Sequence, residues 1–413
     1  MRTLRALVIL LLLLSPVTAA NAGPASTQPA GWTAVWAASP HLPSKAATPN
    51  WAEVGFANHT LRQVVRVSDG GPATRVRLTN RYGARPLTVT AATIARSGPD
   101  GSIQPDTLRH LTVNLAMSFR VAAGADLATD PVLLPLAPLE SVTITLYFAE
   151  PTGPATQHAQ AFATTYRAAG DHRADPTAAA FAETTMSWYY LAGVDVTNVV
   201  QRRAGVVAFG DSITEGVGST LNADNRFPDE LAERLAAAGT ARPVLNQGIG
   251  GNRVTVDSSW LGDAALRRFR QDVLDQPGVG TVIILEGIND IGLSAGAPEI
   301  GEPAVPVSAG QLIAGHRDLI RQARSRGLRV IGATILPYRG SPYPPEGEAE
   351  RDAVNQWIRT SGEYDAVIDF DTVLADPADR DRLNPVYDSG DHLHPNDAGY
   401  RAMAAAVNPA DLR

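Results

Sequence analysis

From Ala204 onward the chain alternates compact apolar runs with helical stretches, and this rhythm narrows the possible fold more than any other feature. The runs at Val206–Phe209, Val244–Leu245, Val282–Leu285, Val330–Ile335 and Ala366–Ile368 are rich in β-branched and large apolar residues, with almost no polar alternation. A strand that is apolar on both sides has to be covered on both sides, which points to a parallel sheet between helical layers. A helix is predicted at Pro228–Ala238, with Pro at its start, Asp229 and Glu230 in the first turn and Gly239 as its stop. Further helices are expected at Ala264–Leu274, Gln311–Arg326 and Ala349–Arg359. In such α/β sheets, ligands sit in the crevice beyond the carboxyl ends of the strands.

The preceding residues have a different rhythm. Val64–Val67, Thr74–Leu78, Leu87–Ile94, Val132–Leu136 and Val142–Phe148 read as short strands separated by turn residues. They suggest an all-β sandwich, jelly-roll-like, over residues 31–200, followed by the α/β domain over 201–413. A chain of 413 residues with 44% hydrophobic content can bury two cores, which suits this division. At the start, Arg2 and Arg5 precede the apolar stretch Ala6–Leu14, and Ala20-Asn21-Ala22 follows. Residues 1–22 therefore read as a secretory signal peptide, and the mature protein is expected to be extracellular. That apolar stretch is too short to span a bilayer and no later one is longer, so no stable membrane insertion is expected. The sequence has no cysteine, which excludes disulfides, thiol chemistry and cysteine–zinc sites. A net charge of -7 without basic clusters argues against nucleic acid as a partner. Oligomeric state has no readable determinant.

Catalysis in such a chain has to use oxygen and nitrogen nucleophiles. The first apolar strand runs into Gly210-Asp211-Ser212-Ile213-Thr214-Glu215-Gly216, placing the Ser212 hydroxyl at the strand's carboxyl end. A serine needs a base to take its proton. Among the eight histidines, His394 stands out in Asp391-His392-Leu393-His394-Pro395, after the last strand and before a predicted helix. Asp391, three residues earlier, can turn back to the imidazole Nδ1. His392 is the competing base and Asp388 the competing acid. Acyl transfer also requires donors for the developing oxyanion. The glycine-rich block Asn246–Asn252 offers backbone N–H groups, and Gly287-Ile288-Asn289-Asp290 offers the Asn289 amide.

Taken together and in this order, the four segments resemble the SGNH hydrolases, also called the GDSL lipase and esterase family, over about Ala204 to Arg413. The resemblance implies a three-layer α/β/α, flavodoxin-like domain that works without cofactor or metal. It further implies Ser212 as nucleophile and first oxyanion donor, Gly251 and Asn289 as the other donors, His394 as general base and acid, and Asp391 as its orienting acid. Ile213 replaces the family's leucine, and the Gly250-Gly251 pair leaves two candidates for the glycine donor. Gly251 is favoured because it lies five residues after Asn246, the family's usual spacing. The activity implied is carboxylic ester hydrolysis, on a small-molecule or polysaccharide ester. Two alternatives stand beside it. One is a carbohydrate esterase removing acetyl or feruloyl groups from plant polysaccharide, with the β-domain gripping the glycan; Trp188, Tyr189 and Tyr190 read either as exposed aromatics that stack on sugars or, as is commoner for such residues, as the filling of a domain interface. The other is a non-catalytic secreted binding protein that keeps the fold as a scaffold. Loops Asp257–Asp263, Ser294–Ser308 and Arg339–Glu348 are expected to shape the crevice.

Overall fold

The structure is a computed structural model that describes residues 31–45, 49–197 and 204–412. The expected signal peptide and the expected domain junction at 200 lie outside the described residues.

The apolar runs of the C-terminal half form one five-stranded parallel sheet: β1 (Gly205–Gly210), β2 (Val244–Gly248), β3 (Val279–Leu285), β4 (Arg329–Ala333) and β5 (Ala366–Ile368). Their spatial order is 2-1-3-4-5, the flavodoxin-like arrangement. Every residue of β1 and β3 is buried, as continuous apolar strands demand. The chain alternates these strands with helices α1 (Ser212–Glu215), α2 (Phe227–Ala237), α3 (Ala265–Phe269), α4 (Ile288–Gly292), α5 (Ala309–Ser325), α6 (Glu348–Thr360), α7 (Phe370–Leu374) and α8 (Asp397–Ala406). Edge-to-face ring pairs seal the layers: Phe209 meets Phe269 of α3 at 5.1 Å, and Phe227 of α2 meets Phe370 of α7 at 5.7 Å. The helix expected over Ala264–Leu274 is α-helical only to Phe269. It continues as a π-helical turn, Arg270–Leu274, the kind of irregularity found beside functional sites.

The N-terminal half is a two-sheet antiparallel sandwich. Trp32–Ala37, Leu191–Thr197, Thr74–Thr79 and Asp126–Ala128 are neighbours in one sheet. The other runs Glu183–Thr185, Thr165–Ala169, His59–Arg66, Ser141–Phe148, Ala91–Arg96 and Arg109–Leu111. Counted along the chain, the eight main strands lie 1-8-3-6 in one sheet and 2-7-4-5 in the other, which is jelly-roll order; Glu183–Thr185 and Thr165–Ala169 extend the second sheet, and four short strands form two separate two-stranded pairs. Val76, Val194, Leu61, Ile144 and Phe148 meet in the core between the sheets.

Three expectations need correction. Leu87–Ile94 is not one strand but two, Leu87–Val89 and Ala91–Arg96, which pair with different partners. Val132–Leu136 contributes only isolated bridges at Val132 and Leu136, because Pro131 and Pro135 have no N–H to donate to a ladder. Trp188, Tyr189 and Tyr190 are not exposed: they are at most 4% accessible and fill the sandwich core, Trp188 edge-on to Trp36 and Tyr189 stacked on Trp51.

Candidate active site

The chain turns from β1 into α1 with no loop between them, so glycine is required on both sides of the turn. A Cβ on Gly210 would lie 2.2 Å from Thr214 Oγ1, and one on Gly248, at the end of β2, would lie 2.1 Å from the Glu215 nitrogen. Asp211 caps α1 by accepting the Ile213 N–H at 2.9 Å, and Gly216 ends the helix in the left-handed region at φ 112°. Ser212 is thus the first residue of a short helix at the sheet's carboxyl edge, at the point where the strand order reverses between β1 and β3.

The loop before α8 brings the histidine to this edge. His394 Nε2 lies 2.8 Å from Ser212 Oγ, and its Nδ1 lies 2.6 Å from Asp391 Oδ2. The other oxygen of Asp391 accepts the backbone N–H groups of His394 and Leu393 at 2.8 and 2.9 Å. Partial burial works against the charged carboxylate, but the bond to His394, its charge and these two N–H groups together hold Asp391 well below the usual carboxylate range. His392 takes a left-handed backbone conformation, φ 61°, which turns its ring away to a separate, half-exposed pair with Asp388 at 2.6 Å. Of the two His–Asp pairs, only His394 and Asp391 reach the serine.

The remaining candidates lie in the neighbouring loops. Gly251 has φ 74°, and a Cβ there would strike Leu261 at 2.6 Å. The N–H of Gly250 is turned toward the Glu215 carboxylate, whereas that of Gly251 has no partner among the described residues. Asn289 sits in the first turn of α4; its amide donates to the Asn252 carbonyl at 2.9 Å and accepts from the Tyr343 hydroxyl at 2.5 Å. One amide hydrogen is left for a substrate oxygen. Asp290 ties the loops after β2 and β3 together by accepting the Val254 N–H at 2.8 Å, and burial pushes its carboxyl up to about 6.

Sequence reasoning missed Arg268, the side chain that ties these loops together from below. Its guanidinium is buried, lies 4.0 Å over the Phe209 ring, and donates to Gly210 O, Gln247 O and Asn252 Oδ1 at 2.7 to 2.8 Å. Asp272 and Glu286 neutralise it at 3.0 Å. The i,i+4 spacing of Arg268 and Asp272 was visible in the sequence but resembles any solvated helix pair. Tyr343 was also missed, since its contact with Asn289 spans 54 residues and lies in a loop without periodicity. Burial raises Asp211 to about 7, partly offset by the Ile213 N–H and the nearby His394 and Arg268. Among the described residues one group of side chains could hold a metal, His41, His158 and Glu215, at the far end of α1 from Ser212.

Residues 208–402 match the profile of the family described as GDSL-like lipase/acylhydrolase. The C-terminal half of this chain is a member of the GDSL-like lipase/acylhydrolase family. Among solved structures, this GDSL-like half is similar to a lipolytic protein of the G-D-S-L family from Desulfitobacterium hafniense, with 23% identity over 49% of this chain and 97% of that one and a TM-score of 0.38. An aryl esterase from M. smegmatis has 17% identity over 49% of this chain and 94% of its own, with a TM-score of 0.38. An acetyl xylan esterase from Geobacillus stearothermophilus has 22% identity over 50% of this chain and 94% of its own, also with a TM-score of 0.38. No curated protein matches the chain.

Proposed function

We propose that the chain is a secreted serine ester hydrolase that cleaves carboxylic esters through an acyl-enzyme. Ser212 Oγ attacks the ester carbonyl while His394 Nε2 takes its proton, and Asp391 stabilises the imidazolium so formed. The N–H groups of Ser212 and Gly251 and the Asn289 amide receive the oxyanion. His394 returns the proton to the leaving alcohol, and water then repeats the sequence to release the acid. The observation that carries this reading is the continuous hydrogen-bonded chain from Asp391 through His394 to Ser212.

Secretion rests on the basic and apolar residues at the start of the sequence. Small aryl esters are the substrates to try first, because burial of Trp188, Tyr189 and Tyr190 removes the sugar-stacking surface on which a polysaccharide reading depended. The test combines turnover of p-nitrophenyl acetate with fluorophosphonate labelling located by mass spectrometry. The expected result is an adduct on Ser212 and a near-complete loss of turnover and labelling in Ser212→Ala. A folded alanine variant with wild-type turnover, or an adduct elsewhere, would overturn the assignment.

A further inference from the structure

His41 and His158 come from adjacent segments of the sandwich, joined by a backbone bridge between His41 and Gln157, and their rings stand nearly perpendicular with centroids 5.5 Å apart. Facing them is Glu215, the last residue of the helix that Ser212 begins. One ligand atom from each of the three side chains lies within 4.8 Å of the other two, and His158 Nε2 is 3.5 Å from Glu215 Oε1. All three residues are buried, with 2 to 6% accessibility. Neither ring nitrogen of His41 completes a hydrogen bond, and the Glu215 carboxylate has only the backbone N–H groups of Gly250 and Gln160 turned toward it. Two buried imidazole nitrogens without partners are costly in any folded protein, and a ligand that uses one of them together with Glu215 accounts for them.

The surroundings select the kind of ligand. His158 Nδ1 lies 3.0 Å from the Ser39 carbonyl, which fixes the proton on that nitrogen and leaves Nε2 with its lone pair aimed toward Glu215. A carbonyl holding the outer nitrogen of a histidine in this way is the usual second layer of a metal site. The ring is also stacked on Trp188 at 5.5 Å. Two imidazole nitrogens and a carboxylate oxygen suit zinc, whose bonds of about 2.0–2.2 Å put neighbouring ligands roughly 3.4 Å apart in a tetrahedron. A cavity of about 20 Å³, bordered by His158 and Glu215 but not by His41, has room for one water beside the cluster. The cations near the carboxylate make their direct ion pairs elsewhere, Arg226 with Asp224 and Asp229 and Arg268 with Asp272 and Glu286, and act on Glu215 only through their charge.

We propose that His41, His158 and Glu215 form a binding site for one divalent transition-metal ion, zinc by ligand type, which joins the sandwich to the helix that carries Ser212. The site is separate from the triad and stands whether or not the chain hydrolyses esters. Its role is structural: binding ties two segments of the N-terminal half to α1 at the residue where that helix ends.

The test uses the full, tag-free chain. After dialysis against EDTA it is incubated with zinc, desalted and analysed for metal by mass spectrometry, and its thermal unfolding is followed with zinc and with EDTA. The expected result is about one zinc retained per chain, a midpoint several degrees higher with zinc, and the intense visible bands of a four-coordinate site when cobalt(II) is substituted. Glu215→Gln, which keeps the shape of the side chain, and His41→Ala should each abolish retention and the midpoint shift. A wild-type chain that retains no zinc and shows no shift overturns the proposal, and so does a His41→Ala chain that retains zinc as the wild type does. If a variant fails to fold, the wild-type response to EDTA and zinc decides the matter alone.

Discussion

At the scale of single residues, the reactivity proposed for the Ser212 hydroxyl depends on what lies behind His394. Asp391 holds one tautomer of the ring and faces the charge that forms when the serine gives up its proton. Asp391→Asn is therefore expected to leave the fold intact and to lower kcat on p-nitrophenyl acetate by roughly 10³- to 10⁴-fold. His392→Asn is the matching control, because asparagine tolerates the left-handed backbone that His392 adopts, and its kcat should stay within about threefold of wild type. Equal losses in both would mean that the wrong pair has been chosen. As a proposed oxyanion donor the Asn289 amide would act more strongly in the transition state than in the bound ester, so Asn289→Ala should lower kcat by roughly 10²- to 10³-fold with little change in KM. The residues carrying the proposed chemistry were legible because each stands in a short motif directly after an apolar strand. Their supports were not: Tyr343 and Arg268 act across 54 and 58 residues, on Asn289 and on the Gly210 carbonyl. No local pattern announces such contacts.

At the scale of elements, α1 and the loops beside it are held by buried charges, and these give the clearest stability predictions. Arg268 is the common donor to the ends of β1 and β2. Arg268→Met leaves Asp272 and Glu286 buried without their partner, and should destabilise the chain by about 3–5 kcal/mol in denaturant titration. Arg268→Lys should recover little, since an ammonium cannot reach several carbonyls and carboxylates in one plane as the guanidinium fork does. Asp211 leads to a pH effect of opposite sign to the familiar one. Burial raises its carboxyl to about 7, far above the range of an unfolded aspartate, so the folded state binds the proton more tightly. Between about pH 4 and 7 this group makes the protein less stable as pH rises, and the loss is complete above 7. Asp211→Asn keeps an oxygen to cap Ile213 but removes the titration. Its unfolding midpoint, compared with wild type, should therefore improve steadily across that window; a difference independent of pH would refute this account. Strand positions were readable wherever apolar residues run unbroken. The misreading at Val132–Leu136 came from weighing β-branched and leucine content above the two prolines that deny the segment a ladder.

At the scale of the whole molecule, the two architectures are not beads on a string. Ala34 and Ala37, on the first strand of the sandwich, are buried in the core of the parallel sheet. The Ala34 N–H donates to the Pro277 carbonyl, and the Val244 N–H at the start of β2 donates to Ser68 Oγ, each at about 3 Å. Ser39 Oγ reaches Gln247 Oε1 at 2.5 Å, in the block that carries Gly251, and Arg226 donates to the Ala161 carbonyl at 2.8 Å. The sequence showed two rhythms and hence two kinds of sheet. It could not show this joint, which consists of single polar atoms and small residues contributed by distant segments. The joint has a thermodynamic consequence, because a hydrolase half stripped of the sandwich would expose the apolar surface that Ala34 and Ala37 cover, and would leave the Val244 N–H without its acceptor and the Pro277 carbonyl without its donor. The two halves should therefore unfold together. Scanning calorimetry of the intact chain is expected to give one transition whose calorimetric and van't Hoff enthalpies agree. Two resolved transitions, with any turnover of p-nitrophenyl acetate surviving the first, would show instead that the sandwich is an independent appendage and that the polar contacts across the joint contribute little to holding the GDSL-like half in shape.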